Sequence, residues 1–319
     1  MTDSSLTGDN LLAARVAKER FGDELLANPD VHGVGVGRRR RAGRKVDEYA
    51  VVVHVERKLP LSRVPEHHRL PQELRFITPD GREVVARVDV QERAKPVPEN
   101  TPTPAGINLG GRERPVPGGM SAGGSGTLGG WVWDTVTNQA VALSNRHVFG
   151  SVVGKDVSQP SRDDGGRLPA DRIGSVLRTG SLDAAIAAPL DPDIVSASVI
   201  GGGPAVFGIA DATIDMRVQK TGRTTGRTFG VVDLIDYDSG HSGSHSDVWI
   251  DGDGGDFSDS GDSGALYLEA GSSAGHGDRL RAVGLHWGGA GDDGVGHHIR
   301  AVFADLGLTT LVAATVPPG

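Results

Sequence analysis

Ser260-Gly261-Asp262-Ser263-Gly264 decides how this chain is read, with Ser144-Asn145-Arg146-His147-Val148 upstream of it and Leu182-Asp183-Ala184-Ala185-Ile186 between the two. The three stretches supply a serine, a histidine and an aspartate. A serine hydroxyl is almost never ionised at neutral pH, so it needs a neighbouring imidazole to take its proton. The imidazole in turn needs a carboxylate to fix its tautomer and stabilise its charge. In the serine stretch, Gly261 and Ser263 can turn two backbone N–H groups into one concavity. Such a concavity holds an oxyanion, each donor contributing about 3–4 kcal/mol. Gly264 leaves the hydroxyl of Ser263 uncrowded.

The surroundings of the other two residues fit this chemistry. Ala140 to Leu143 is an apolar run that ends in a polar turn carrying His147, which puts an imidazole at the rim of a β structure. Asp183 heads the otherwise apolar run Ala184 to Ala187. A carboxylate buried there needs a partner, because desolvating it alone is costly, and the Nδ1–H of His147 is the natural one.

Composition narrows the field. The chain has 319 residues, long enough for two domains, and its 48 glycines with few aromatic residues suit short strands and tight turns. A net charge of −8 argues against a nucleic-acid binder or a membrane-surface protein. There is no cysteine, which excludes disulfides, thiolate zinc sites and a cysteine nucleophile. Met1 to Ser5 lacks a basic segment followed by an apolar one, and no run is long and apolar enough to span a membrane. The expectation is a cytoplasmic protein that needs no cofactor.

Along the chain, residues 11 to 27 carry apolar groups at helical spacing, which predicts an amphipathic helix interrupted or frayed near Gly22. Val31 to Val36 and Tyr49 to Val55 read as strands around a basic, solvated hairpin tip, Arg38 to Lys45. Pro79-Asp80-Gly81-Arg82 reads as a turn and Val84 to Val90 as a strand. Residues 1–93 are therefore expected to form a small α/β domain. Residues 94–120, with prolines 96, 98, 102, 104, 115 and 117, read as a linker or an extended arm. Gly124-Ser125-Gly126-Thr127-Leu128-Gly129 matches the dinucleotide fingerprint by letter. It follows a Pro/Gly stretch and leads into the β-like Trp131-Val132-Trp133, so no nucleotide site is expected. From 121 to 319, roughly ten or more short apolar runs are punctuated by turn residues, the texture of an all-β sandwich or paired barrels. Only Ala301 to Leu306 has a helical period.

These residues carry a resemblance. The His, Asp, Ser chain order is that of chymotrypsin-type enzymes, and residues 121 to 310 resemble a trypsin-like serine peptidase of the chymotrypsin fold. Gly284-Leu285-His286-Trp287-Gly288-Gly289 resembles the strand lining the substrate cleft in that family. More narrowly, the chain resembles the cysteine-free, unsecreted peptidases related to the plant leaf-width protein NARROW LEAF 1. Four stretches carry this: Gly33-Val34-Gly35-Val36-Gly37 with Val51 to Pro60, Leu143 to Val148, Lys220-Thr221-Gly222-Arg223-Thr224-Thr225-Gly226, and the serine loop. The resemblance implies a mostly β, chymotrypsin-like double β-barrel with a small N-terminal α/β domain. It implies a serine endopeptidase acting on protein or peptide substrates, and a homo-oligomer. It assigns His147 as general base, Asp183 as its orienter, Ser263 as nucleophile and the amides of Gly261 and Ser263 as oxyanion donors, with Trp287 and Gly288 on the substrate strand.

The chain departs from the family in places. Asp262 needs a cation if buried and ionised, with Arg223 or Arg146 the expected partner. Counting back six from the nucleophile puts Phe257 at the floor of the specificity pocket, which favours apolar or small side chains over basic ones. Aspartates 251, 253, 256 and 259 lack the spacing of a calcium loop and read as a solvated acidic loop. His241 and His245 would bind a metal only if an element aligned them, so no metal site is expected. A catalytically silent scaffold that binds protein partners, or a chain that processes only its own linker, is the rival reading.

Overall fold

The computed structural model describes residues 4–78, 81–98, 109–200, 206–239, 247–270, 280–290 and 292–311. The chain divides into two compact units, Met1–Pro96 with Asp233–Trp249, and Val97–Val232 with Ile250–Gly319. The segment Asp233–Trp249, read from the sequence as part of the C-terminal β region, thus packs with the N-terminal one. His241, His245, Pro79 and Asp80 lie outside the described residues.

In the first unit, Ser4–Leu26 is one helix, uninterrupted at Gly22. A mid-helix glycine is unfavourable by only about 1 kcal/mol, and burial of Ala14, Ala17 and Leu25 outweighs it. Strands Val31–Arg41 and Arg44–Val55 form a hairpin whose tip is only Ala42 and Gly43, at φ 48° and 79°. The expected basic loop is therefore strand. Its cations are neutralised across the sheet: Arg38 by Asp47, Arg39 by Glu48 at 2.9 Å, and Arg40 and Lys45 by buried Asp233 at 3.1 and 2.7 Å. Arg44–Val55 pairs in parallel with Glu83–Glu92, which pairs with Glu73–Ile77. On the other side, Gly33 to Gly37 pair with Ser239 to Leu234. Gly33 is glycine because a Cβ there would lie 1.9 Å from the Tyr237 hydroxyl.

Beyond Val97 the strands form two sets of six, of which Gly226–Ser239 and Asp247–Gly252 each run from one unit into the other. In one, Arg217–Gly222, Leu266–Glu269, Leu280–Ala290, Asp293–His298, Asp247–Gly252 and Gly226–Ser239 follow in order, and the last pairs back on the first to close a barrel. In the other, the order is Leu308–Thr310, Gly130–Asp134, Gln139–Ser144, Ala185–Pro189, Arg172–Thr179 and Asp156–Ser158. Helix Ile299–Leu306 buries Ile299, Val302, Phe303 and Leu306 in a core with Val141, Ile186 and Leu285. This is the expected class: mostly β, of the chymotrypsin-like double-barrel type, with a small α/β unit. Val116–Gly118, from the Pro/Gly-rich stretch, pairs in parallel with Val195–Val199. Gly124 to Gly129 lead into the strand Gly130–Asp134 and not into a helix. Among the described residues, no helix is long and apolar enough to cross a membrane.

Candidate active site

Two neighbouring strands carry the histidine and the aspartate to the same end of their sheet. Gln139–Ser144 pairs with Ala185–Pro189, Ser144 opposite Ala185. The chain leaves the first strand through Asn145 into a single helical turn, Arg146–Phe149, and enters the second through Asp183. Asn145 Nδ2 donates to the Asp183 carbonyl at 2.8 Å, which ties the two corners together. The Asp183 carboxylate then holds His147 at two points: Oδ1 accepts the His147 amide at 3.0 Å, and Oδ2 meets ring Nδ1. Burial pushes the Asp183 carboxyl up, but the His147 ring and amide, with the nearby His297, hold it below the ordinary carboxylate range.

The serine loop is shaped by close backbone approaches. Gly261 and Gly264 have φ of 100° and 98°, a region that L side chains rarely adopt. A Cβ on Gly264 would lie 2.2 Å from both the Ser144 hydroxyl and the Thr127 carbonyl. Thr127 grips the loop, its amide donating to the Ser263 carbonyl and its hydroxyl to the Gly261 carbonyl, both at 2.8 Å. Gly126 brings serine and histidine loops together, since a Cβ there would meet Val148 Cγ2 at 2.5 Å and the Ser263 carbonyl oxygen at 3.0 Å. The glycines of the nucleotide-like run thus serve packing. Ser263 is fully buried, and its hydroxyl donates to the Trp287 carbonyl at 3.2 Å.

Asp262 corrects one expectation. Its partner is Lys220, with Nζ 2.7 Å from Oδ2 and neither side chain exposed. Thr224 N at 2.8 Å, Thr225 N at 3.2 Å, Thr225 Oγ1 at 2.6 Å and Asp259 N at 3.2 Å complete the cradle. Burial raises the Asp262 carboxyl, and the charge and hydrogen bond of Lys220, with the Thr225 hydroxyl and the nearby His286, bring it below its ordinary value. Arg223 instead makes a two-point pair with Asp164, at 2.7 and 2.8 Å, and Arg146 donates to the Gly180 carbonyl at 3.1 Å. The physical reason lies in shape. The rigid guanidinium fork matches a carboxylate held side-on, whereas a compact ammonium fits a closed site already crowded with donors. Gly222 is needed beside this pair, since a Cβ there would lie 2.3 Å from Asp262 Oδ1.

Phe257 is buried in the barrel, its ring centroid 5.7 Å from that of Tyr267 and 5.4 Å from Lys220 Nζ. Trp287 turns its carbonyl to Ser263 and stacks its ring on His297, with centroids 6.0 Å apart. Gly288 offers backbone only. Two histidines escaped sequence reading. His297 Nε2 accepts the Asp183 amide at 3.2 Å, and His286, fully buried, meets the Tyr267 hydroxyl through Nδ1 at 2.6 Å. The pair His297-His298 just before a helix was the only signal for the first, and nothing local links it to Asp183. In the acidic loop, Asp253 pairs with Arg217 and Asp259 accepts its neighbour's amide. Among the described residues, no group of His, Asp or Glu could hold a metal ion.

No family model matches the chain, and no curated protein does. Similar solved structures are chymotrypsin-fold serine proteases at low identity. Thermobifida fusca Protease A has a TM-score of 0.46 and 22% identity, over 61% of this chain and 97% of that one. A glutamic acid specific serine protease that uses a histidine triad in substrate binding gives 0.46 and 20%, over 61% and 100%. Nocardiopsis protease gives 0.45 and 20%, over 61% and 98%.

Proposed function

We propose that the chain is a serine endopeptidase, hydrolysing peptide bonds of protein or peptide substrates through an acyl-enzyme. The observation that carries this is the two-point hold of Asp183 on His147. It fixes the ring so that Nδ1 faces the carboxylate and Nε2 is left for the serine proton. Ser263 Oγ attacks the carbonyl carbon as its proton passes to His147 Nε2. The amides of Gly261 and Ser263 receive the oxyanion, in a loop held by the Asp262–Lys220 pair. Trp287 and Gly288 receive the substrate backbone, and Phe257 forms the floor of the pocket, which favours apolar or small side chains over basic ones. The kinship with peptidases related to NARROW LEAF 1 belongs to the same proposal, and its Lys220 to Gly226 stretch has a reason here as the cradle of Asp262.

Fluorophosphonate labelling with peptide mapping tests the reading. Stoichiometric modification of Ser263, absent in Ser263→Ala and strongly slowed in His147→Ala, is expected. A folded, monodisperse protein that takes no label overturns it. One observation favours the second reading, a silent or self-processing scaffold: Ser263 is fully buried with its hydroxyl engaged by the Trp287 carbonyl.

A further inference from the structure

Gly261 is buried, yet among the described residues no group accepts its N–H. Buried backbone N–H groups are nearly always paired, so this one is kept for a group that arrives. The peptide that carries it is held from behind. Thr224 Oγ1 donates to the Ser260 carbonyl at 2.5 Å, and a trans peptide turns its N–H opposite to its C=O. Holding the carbonyl therefore aims the amide. The next carbonyl, that of Gly261, accepts from Thr127 Oγ1 at 2.8 Å. This hydroxyl takes the Arg223 amide at 3.0 Å, which leaves its own proton for the loop.

Glycine at 261 makes such a hold necessary. Glycine visits positive and negative φ about equally, so an unheld Ser260–Gly261 peptide turns over at little local cost, and its N–H then leaves the cleft. The side behind the peptide is positive and rich in donors. A Cβ on Gly261 would lie 2.6 Å from Thr224 Oγ1 and 2.3 Å from Arg223 Nη1, a guanidinium nitrogen with no acceptor among the described residues. Such surroundings favour a carbonyl there over an N–H. Thr224 is itself 7% exposed, and its amide donates to Asp262 Oδ1 at 2.8 Å. Backbone and side chain of this one residue thus hold the loop at two points.

We propose that Thr224 is a positioning residue of the oxyanion site: its hydroxyl selects the orientation of the Ser260–Gly261 peptide in which the Gly261 N–H faces the cleft. This rests on the peptidase reading above, in which Gly261 and Ser263 receive the oxyanion, and it adds the group that keeps one of those donors aimed. Thr224 acts on the peptide and not on the substrate.

Fluorophosphonate labelling of Ser263 in the full chain, compared among wild type, Thr224→Val and Thr224→Ser, tests this. Thr224→Val removes the hydroxyl at nearly constant shape and is expected to slow labelling about a hundredfold, the loss that follows removal of one oxyanion donor. The pH dependence of labelling stays that of wild type, because His147 and Asp183 are untouched. Thr224→Ser keeps the hydroxyl and restores most of the rate. A further measurement needs no variant: in wild type the Gly261 amide proton, followed by NMR, moves downfield once Ser263 carries the phosphonate. Labelling of Thr224→Val at the wild-type rate overturns the proposal, as does equal slowing in Thr224→Ser, a shifted pH profile, or a Gly261 resonance that does not move. Each of these, with a labelled wild type, leaves the peptidase reading standing. A folded wild type that takes no label overturns both.

Discussion

Lys220→Met keeps the reach of the side chain and removes the ammonium 2.7 Å from Asp262 Oδ2. Both partners are fully buried, so water cannot take the place of the lost charge. Deleting one member of a buried pair leaves the other uncompensated and costs about 3–5 kcal/mol. Asp262 keeps its donors from Thr224, Thr225 and Asp259, which places the expected loss at the lower end, about 3 kcal/mol. With the cation gone, the remaining donors oppose burial less strongly and the carboxyl rises, toward a neutral acid that accepts more weakly from the Thr224 and Thr225 amides. The Ser263 amide is next in the chain. If the whole penalty falls on the loop's working geometry, labelling of Ser263 slows by about two orders of magnitude. Urea unfolding at pH 7 and the fluorophosphonate rate read the two effects. The double variant Lys220→Met/Asp262→Asn removes both charges and is expected to regain most of the stability. A single variant within about 1 kcal/mol of wild type and labelling at the normal rate would refute this reasoning. So would a double variant no more stable than the single one.

Other perturbations separate the remaining contributions. Burial, with the positive charges of His32 and Arg93, pushes His54 down from 6.5 to about 3, so the unfolded chain takes a proton that the folded chain refuses. Stability from this residue is complete above about pH 6.5 and is lost as pH falls toward 3, by about 2–3 kcal/mol at pH 4.5. His54→Phe, in a site already walled by Tyr237 and Trp249, should flatten the dependence of the urea midpoint on pH between 6.5 and 4.5; an unchanged slope contradicts the assignment. Asp183→Asn preserves the shape of the corner but removes the charge that selects the His147 tautomer, and labelling at Ser263 should fall by about 10⁴-fold. A loss below tenfold would mean that the carboxylate has no part in activating the serine. His297→Leu removes the acceptor of the Asp183 amide and should slow labelling about tenfold, with His297→Gln restoring the rate. Equal loss in both variants would reduce His297 to a packing role.

What the sequence revealed and what it hid follow from the range of the interactions. The strands around His147 and Asp183 were legible because their apolar runs and turn residues are local. The serine loop was legible because glycine is needed where φ exceeds +90° at Gly261 and Gly264, and those glycines stand close to Ser263 in the chain. Lys220 stood in plain view within a quoted motif, yet its partner lies 42 residues away. A lysine on a strand reads as solvated until the barrel closes over it, and an arginine is the better guess for a carboxylate when geometry is unknown. The same blindness covers His297, whose acceptor role exists only once Asp183, 114 residues earlier, is brought against it. It also covers Asp233, which turns a supposed basic loop into the paired arms of a hairpin and draws a late segment into the first unit. Val97–Pro98 is the limiting case. A two-residue edge strand has no periodicity to detect, and a Pro/Gly-rich composition argues for a free linker. Only the register on Gly288 and Gly289 discloses that this linker begins on the strand that carries the carbonyl beside Ser263. Local pattern therefore located the candidate residues, whereas long-range pairing decides what holds them in place.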